Sequence, residues 1–396
     1  MFELRPILSA LGQHKSRAVL VILQMALTIA IVSNAVFIID NRIALMNRDT
    51  GYAENEIFGF RSVTLDSNAD MSVQGEVDEQ ILRDIPGVID AVTITHIPFV
   101  GSGSTSSWST ESKQERGEFV TGVFRGDDHT LNTMGLKLIE GRNFLPEEVS
   151  DDPYASSAVV IINQSIANKM FPDGDALGKT IYRHGQPSKI VGIVEVMQGM
   201  WVNWSGFNDN VIFPTSGARS FMRYMVRTES NRRAEVMAQV KDKLLASYAQ
   251  RVITNIDTLE YSIDRAYSSD NAMRIILSVI ISFLVFVTVV GIFGLSSFSV
   301  NQRTKQIGTR RALGASQAAI VRYFLVENAM MSVVGMTIGA VLALALNYIL
   351  VNEYSVSKLN NGYVVATMFA ILILSLASVL VPALRAAKIS PALATR

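Results

Sequence analysis

The sequence predicts an α-helical membrane protein with four transmembrane helices and a large α+β extracytoplasmic domain inserted between helices 1 and 2. Three observations carry this. Residues 18–39, 275–302, 328–352 and 359–384 contain no charged side chain, and at 1.5 Å rise per residue about 20 such residues cross a hydrocarbon core about 30 Å thick. Buried helices of soluble domains rarely run that far without a charge. Lysine and arginine collect on one side of these runs, and about 235 residues with mixed strand and helix patterning separate the first run from the second.

The elements follow in order. In residues 1–17, Leu4, Ile7, Leu8 and Leu11 share a helical face and Pro6 falls in the first turn, the pattern of an interfacial helix lying on membrane lipid. Span 1, residues 18–39, is longer than the apolar core of a cleaved signal, about 7–15 residues, and stays as an anchor. Residues 40–274 alternate strand-like runs (57–65, 88–97, 158–162, 189–196, 223–227) with helix-like runs (78–85, 164–171, 233–248), which suits an α+β fold, expected as two subdomains. Residues 257–271 lack Gly and Pro, so they read as a helical stalk continuing span 2. The Ser- and Gly-rich stretch 101–110 reads as an exposed mobile loop, with Trp108 offering a flexible partner contact as the sharper alternative. Span 2 (275–300), a coupling segment (301–322), span 3 (323–351), a short outer loop (352–361), span 4 (362–384) and a tail (385–396) complete the chain.

Charge sets the orientation. Arg5, Lys15 and Arg17, then Arg303, Lys305, Arg310, Arg311 and Arg322, then Arg385, Lys388 and Arg396 lie in the short segments, against one acid, Glu3. By the positive-inside rule these segments and both termini are cytoplasmic. Residues 40–274 then lie outside, with 23 basic and 32 acidic side chains in a chain of net charge +0.

Several chemistries are excluded. With no cysteine, the outer domain has no disulfides and no thiol or cysteine–zinc chemistry. His96, His129 and His184 lack metal-ligand spacing. The segment from Gly174 to Thr180 imitates a phosphate-binding loop, but its glycine spacing is one residue short and Asp173 stands where the first glycine belongs, which would repel phosphate. No catalytic constellation, cofactor, metal or nucleic-acid site emerges.

Candidate functional residues sit near the inner face. Ile307, Arg310, Arg311 and Gly314 fall at i, i+3, i+4 and i+7, an apolar tip ringed by cations, while Gly308, Ala312 and Gly314 are small enough for a partner backbone to approach. Glu327 is an ionisable group at the start of span 3 and needs a partner there, Arg322 or an arginine of the coupling segment. Gly335 and Gly339 form a small-xxx-small pair for close helix contact, within the subunit or at a dimer seam.

The segment from Arg303 to Ala315, continued through Phe324-Leu-Val-Glu327 to Gly335 and Gly339, resembles the signature of the FtsX-like permease family, as does the close from Pro382 to Arg396. Ile85-Pro-Gly-Val88, Met134 to Phe144, Val159 to Pro172, Leu177-Gly-Lys179 and Ile190 to Val194 resemble the periplasmic core domain of MacB-like transporters. MacB itself begins with a fused ATPase domain, whereas 17 residues precede span 1 here. The resemblance therefore implies a permease-only subunit of a type VII ABC transporter in the inner membrane, with ATP bound by a separate cytoplasmic ATPase of the LolD or MacB type. It further implies a dimer with a second copy or a paralogous permease, a membrane-fusion protein and an outer-membrane channel as further partners, and mechanotransmission to the periplasmic domain. The expected task is export or extraction of a peptide, lipopeptide, lipoprotein or hydrophobic drug. Activation of an extracytoplasmic hydrolase in the manner of cell-division FtsX, or lipoprotein release like LolC and LolE, are the alternatives.

Overall fold

The computed structural model describes residues 15–66, 68–112, 117–152, 156–215, 221–354 and 357–390. The interfacial helix expected in residues 1–17 falls almost wholly outside them. The chain divides into two compact units, Met1–Asn47 with Asp270–Arg396, and Arg48–Ser269.

In chain order the elements are α1 (Lys15–Met46), β1 (Ile57–Thr64), α2 (Met71–Arg83), β2 (Val88–Ile94), β3 (Thr105–Trp108), β4 (Phe119–Gly126), α3 (Thr130–Met134) and β5 (Leu138–Gly141). There follow β6 (Val159–Asn163), α4 (Gln164–Met170), β7 (Thr180–Arg183), β8 (Gln186–Val194), β9 (Asn210–Pro214), β10 (Phe221–Thr228), α5 (Arg233–Ser247), β11 (Arg251–Thr258) and α6 (Leu259–Ala266). The last are α7 (Ser268–Gln302), α8 (Thr304–Ala312), α9 (Gln317–Tyr354) and α10 (Asn361–Ala387). Four of these, α1, α7, α9 and α10, are long and apolar enough to cross a membrane.

The α/β unit holds two sheets. One is four-stranded and antiparallel, in the order β11-β1-β10-β2; the other runs β3-β4-β9-β6-β8-β5 with β7 also on β8, and its β4–β9 and β6–β8 pairs are parallel. The first sheet buries Phe58, Phe60, Tyr224 and Val226 against Leu82 of α2 and Val236, Val240 and Leu244 of α5. Asp70 starts α2 by accepting hydrogen bonds from the Ser72 and Val73 amides at 3.1 and 3.3 Å, satisfying two of the helix's orphan donors. Asp78 of α2 is fully buried and accepts from Arg251 of β11 at 2.5 Å and from the Tyr224 hydroxyl at 2.6 Å, tying helix and sheet together by charge as well as by apolar area.

Two expectations are corrected. The stretch 101–110 is not a mobile loop: Thr105–Trp108 pairs with β4, and Trp108 is fully buried, stacked on Phe213 at 5.5 Å with its indole N–H donating to Thr121. Polar neighbours hid a core tryptophan, so Trp108 is no partner contact. The stalk is not a continuous helix from residue 257 either. Val252, Ile253, Thr254, Ile256 and Thr258 are β-branched and favour the pleated strand, which pairs with β1. Thr258 then caps α6 by accepting from the Tyr261 amide, and Tyr267 interrupts the helix before α7.

A charged cluster joins α2, β2 and the turn before α3. Arg83 lies 3.0 Å from Glu79, 3.3 Å from Asp90 and 3.6 Å from Asp127, while Asp90 also meets His129 at 2.9 Å and Asn132 at 2.7 Å. Burial and the Glu79 charge push the Asp127 carboxyl up to about 7. The hydrogen bond to Asp90 holds His129 above its ordinary value. Both groups bind their protons more tightly folded than unfolded, so both contributions are present at acid pH and are lost as pH rises, Asp127 between about 4 and 7 and His129 from about 6.5 upward. All three tryptophans, Trp108, Trp201 and Trp204, lie in this unit. Tryptophan-monitored melting of the whole chain in detergent is therefore expected to fall as pH rises from 5.5 to 8, and Asp127→Asn should raise the pH 8 value and flatten the profile. An unchanged slope would remove Asp127 from the cause.

Candidate coupling site of the membrane unit

Within the four-helix unit, α1 is central: 56% of its most apolar window is buried, against 11% for α7. The two glycines of α9 explain the approach. A Cβ at Gly335 would lie 3.1 Å from Met25 Cβ, and one at Gly339 would lie 2.9 Å from Ile29 Cβ and 3.0 Å from the Ala26 carbonyl. Gly335 and Gly339 thus let α9 lie against α1 inside the subunit, and no dimer seam is needed to account for them. Polar rungs add to this packing: Thr28 meets Thr288 at 2.8 Å, Asn34 donates to the Ala343 carbonyl at 3.0 Å, and Asn328 donates to Ser375 at 2.6 Å. Away from water such bonds are worth keeping because unpaired polar groups find no solvent partner.

At the end of α7 the backbone leaves the helical path at Arg303 and restarts as α8. The Arg303 side chain turns inward, 8% exposed, and donates to the Glu327 carboxylate of α9 at 3.0 Å. Arg17 of α1 lies 3.9 Å from the other carboxylate oxygen and donates to Ser299 of α7. Glu327, 1% exposed, therefore ties α1, the α7–α8 junction and α9. This corrects the expected pairing with Arg322, and keeps the alternative of a coupling-segment arginine. Arg322 lies five residues before Glu327 on the same helix, on a different face, and lines a groove with Leu325, Leu384 and Lys388.

The coupling segment is differently disposed from the expected single face. Ile307 and Gly308 are buried, Ile307 in a cluster with Ile320, Phe324, Ala383 and Ala386. They hold α8 to its own bundle. Arg310 is exposed and sits over the Tyr323 ring at 4.9 Å; Arg311 is half-buried and donates to the Ala315 carbonyl at 2.9 Å; Ala312 is exposed. Gly314 has φ +93°, with its amide on the Arg311 carbonyl and the Ala315 amide on the Arg310 carbonyl. This is a Schellman C-cap, in which the left-handed residue is glycine because a Cβ would be strained. Gly314 therefore answers a backbone need. The cap presents Leu313, 84% exposed, at the end of α8 between cations. The sequence reading missed Leu313; the signal was its place directly before a helix-ending glycine.

The phosphate-loop look-alike is resolved by order of elements. A P-loop runs from a strand into a helix, whereas Gly174 to Thr180 follows helix α4 and enters strand β7, with Gly174, Asp175 and Gly178 all at positive φ. Among the described residues no group of three or more His, Cys, Asp or Glu is placed to hold a metal.

Residues 18–255 match the MacB-like periplasmic core domain and residues 278–391 the FtsX-like permease C-terminal domain. The macrolide export ATP-binding/permease protein MacB of Neisseria meningitidis is 27% identical over 270 residues, 66% of this chain and 41% of the relative. The chain thus spans well under half the length of that relative. An uncharacterized ABC transporter permease of Bacillus subtilis, YknZ, is 23% identical over 85% of this chain and 84% of its own. Among solved structures, the periplasmic region of MacB from Actinobacillus actinomycetemcomitans is similar at 16% identity and TM-score 0.34, covering 54% of this chain and 94% of that one.

Proposed function

Because the chain belongs to the ABC transporter permeases that join a MacB-like periplasmic core domain to an FtsX-like C-terminal domain, we propose that it transmits ATP-driven motion from the cytoplasm to its α/β unit. In this reading the basic segments face the cytoplasm, the α/β unit lies on the outer side of the inner membrane, and ATP is hydrolysed by a nucleotide-binding component outside these 396 residues. A second permease completes the assembly. By analogy with the macrolide exporter, the cargo is a hydrophobic or amphiphilic molecule, and a membrane-fusion protein with an outer-membrane channel would carry it onward.

The observation that supports this best is the build of α8. Its tip offers one exposed leucine beside cations, and its base is held by Ile307 and by Arg303 on Glu327. A push on Leu313 is thereby passed to α1 and α9 rather than absorbed by a loose loop. In the complex with its ATP-hydrolysing component, Leu313→Asp is expected to weaken association about 30-fold or more, since the leucine's apolar contact is lost and a carboxylate must be desolvated in its place, at roughly 2–4 kcal/mol. Arg310→Ala should do less, as a rim cation mainly affects encounter. Ile307→Asp is expected to damage the bundle itself and is a poor probe of docking. Normal association and ATP-coupled transport by Leu313→Asp would rule out this tip as the contact.

A further inference from the structure

The α/β unit contains a cavity of about 700 Å³, within the range of about 300–1,000 Å³ for small-ligand pockets. Its floor is β1, where Ile57, Gly59 and Arg61 share one face. Gly59 leaves room for Ile97, since a Cβ there would sit 2.7 Å from Ile97 Cδ1. One wall is made by two loop segments bonded to each other: Phe99 N–H donates to the Gly199 carbonyl, Gly101 N–H to the Met200 carbonyl, and the Trp201 indole N–H to the Gly101 carbonyl at 2.9 Å. The opposite wall is α6, with Tyr261 and Arg265 exposed.

Backbone strain gathers here. Four non-glycine residues with positive φ are described, Phe99, Asp175, His184 and Asn255, and two of them, Phe99 and Asn255, line this cavity. Asn255 is part of a bulge in β11 opposite Phe60, the device by which strands re-aim side chains. Phe99, at φ 63°, is held there by ring contacts to Tyr52, Phe207 and Tyr267. An aromatic residue in that region costs energy that the packing around it must offset. The charges are unequal: Arg61, Arg223 and Arg265 line the cavity against one acid, Asp257. Arg61 and Arg223 are positioned by the Phe221 ring at 4.6 and 5.0 Å.

We propose that this cavity binds an anionic amphiphile, its apolar body along Ile97, Trp201 and Tyr261 and its carboxylate or phosphate toward Arg61 and Arg265. Apolar side chains beside the arginines give an amphiphile's body a contact that a small inorganic anion would not use, and the surplus of cations selects against a basic or neutral compound. The assignment goes beyond the coupling role, because retention of such a ligand needs no ATPase and is measured on this chain alone.

The test uses the whole chain in maltoside detergent and reads tryptophan quenching by three brominated dodecyl probes: the phosphate, an N-acyl glutamate and the neutral maltoside. Bromine in the cavity should quench Trp201 saturably, leaving the buried Trp108 emission intact, and Trp201→Phe should remove most of the signal. Arg265→Gln and Arg61→Gln should each weaken binding about tenfold or more, while Lys137→Gln, at an exposed site away from the cavity, should not. Binding of the phosphate probe alone points to a lipid-like ligand, and of the glutamate probe alone to an acylated or peptide-like one; either supports the site. Equal quenching by the neutral probe, or affinities unmoved in both arginine variants, overturns it.

Discussion

Glu327→Ala is expected to loosen the membrane unit while leaving the α/β unit as it is. The substitution strands the guanidinium of Arg303, 8% exposed at its side chain, and that of Arg17, 14% exposed, with no anion between them. Breaking a buried pair from one side costs about 3–5 kcal/mol because the remaining charge stays desolvated. Here two charges remain, and among the described residues Arg303 Nη2 and Arg17 Nε have no hydrogen-bond partner. Melting followed at 222 nm, dominated by the long helices, should shift down, whereas tryptophan-monitored melting should hold its wild-type midpoint. Glu327→Gln keeps an acceptor and should fall between. Changing Arg303 and Glu327 together to Met should recover part of the loss, since apolar replacement of a buried pair is often tolerated. Additive losses in the double variant would mean that the two side chains act separately.

Asp78→Ala should produce the converse pattern, a large drop in the tryptophan melt with the membrane helices intact. The Arg251 and Asp78 side chains are 1% and 0% exposed, and Tyr224, pushed well above its ordinary pKa by burial and the nearby carboxylate, loses the carboxylate that accepts its hydroxyl hydrogen bond at 2.6 Å. The expected cost is about 3–5 kcal/mol, which for a domain of this size lowers the midpoint by roughly 6–20 °C. Asp78→Asn, which can still accept from Tyr224, should cost less. A midpoint within about 2 °C of wild type for the alanine variant would show that α2 is held by apolar contact alone.

The sites were legible to different depths. That Glu327 needs a cation followed from its position beside an apolar run. Which cation did not, because Arg303 and Arg17 reach it from a turn and from another helix, and their direction is set by how those elements pack. The coupling segment failed in a related way: spacing put Ile307, Arg310 and Arg311 on one stripe, but Ile307 was claimed by the apolar ends of α9 and α10, and the outward apolar residue became Leu313. Trp108 was misread because serine-rich composition does not show that Thr105–Trp108 pairs with β4 and buries its tryptophan, whose indole N–H is answered by Thr121.

The sequence by itself determined the four spans, the segregation of basic residues, and five of the eleven described strands and three of the five α-helices between spans 1 and 2. These are signals of local periodicity and composition, readable within a window of about 20 residues. The tertiary structure alone decided that Gly335 and Gly339 serve α1, that Glu327 belongs to Arg303, that Thr258 ends a strand rather than continuing a stalk, and that Phe99 and Asn255 meet at one cavity. Each depends on partners far apart in the chain, and only packing fixes which faces meet.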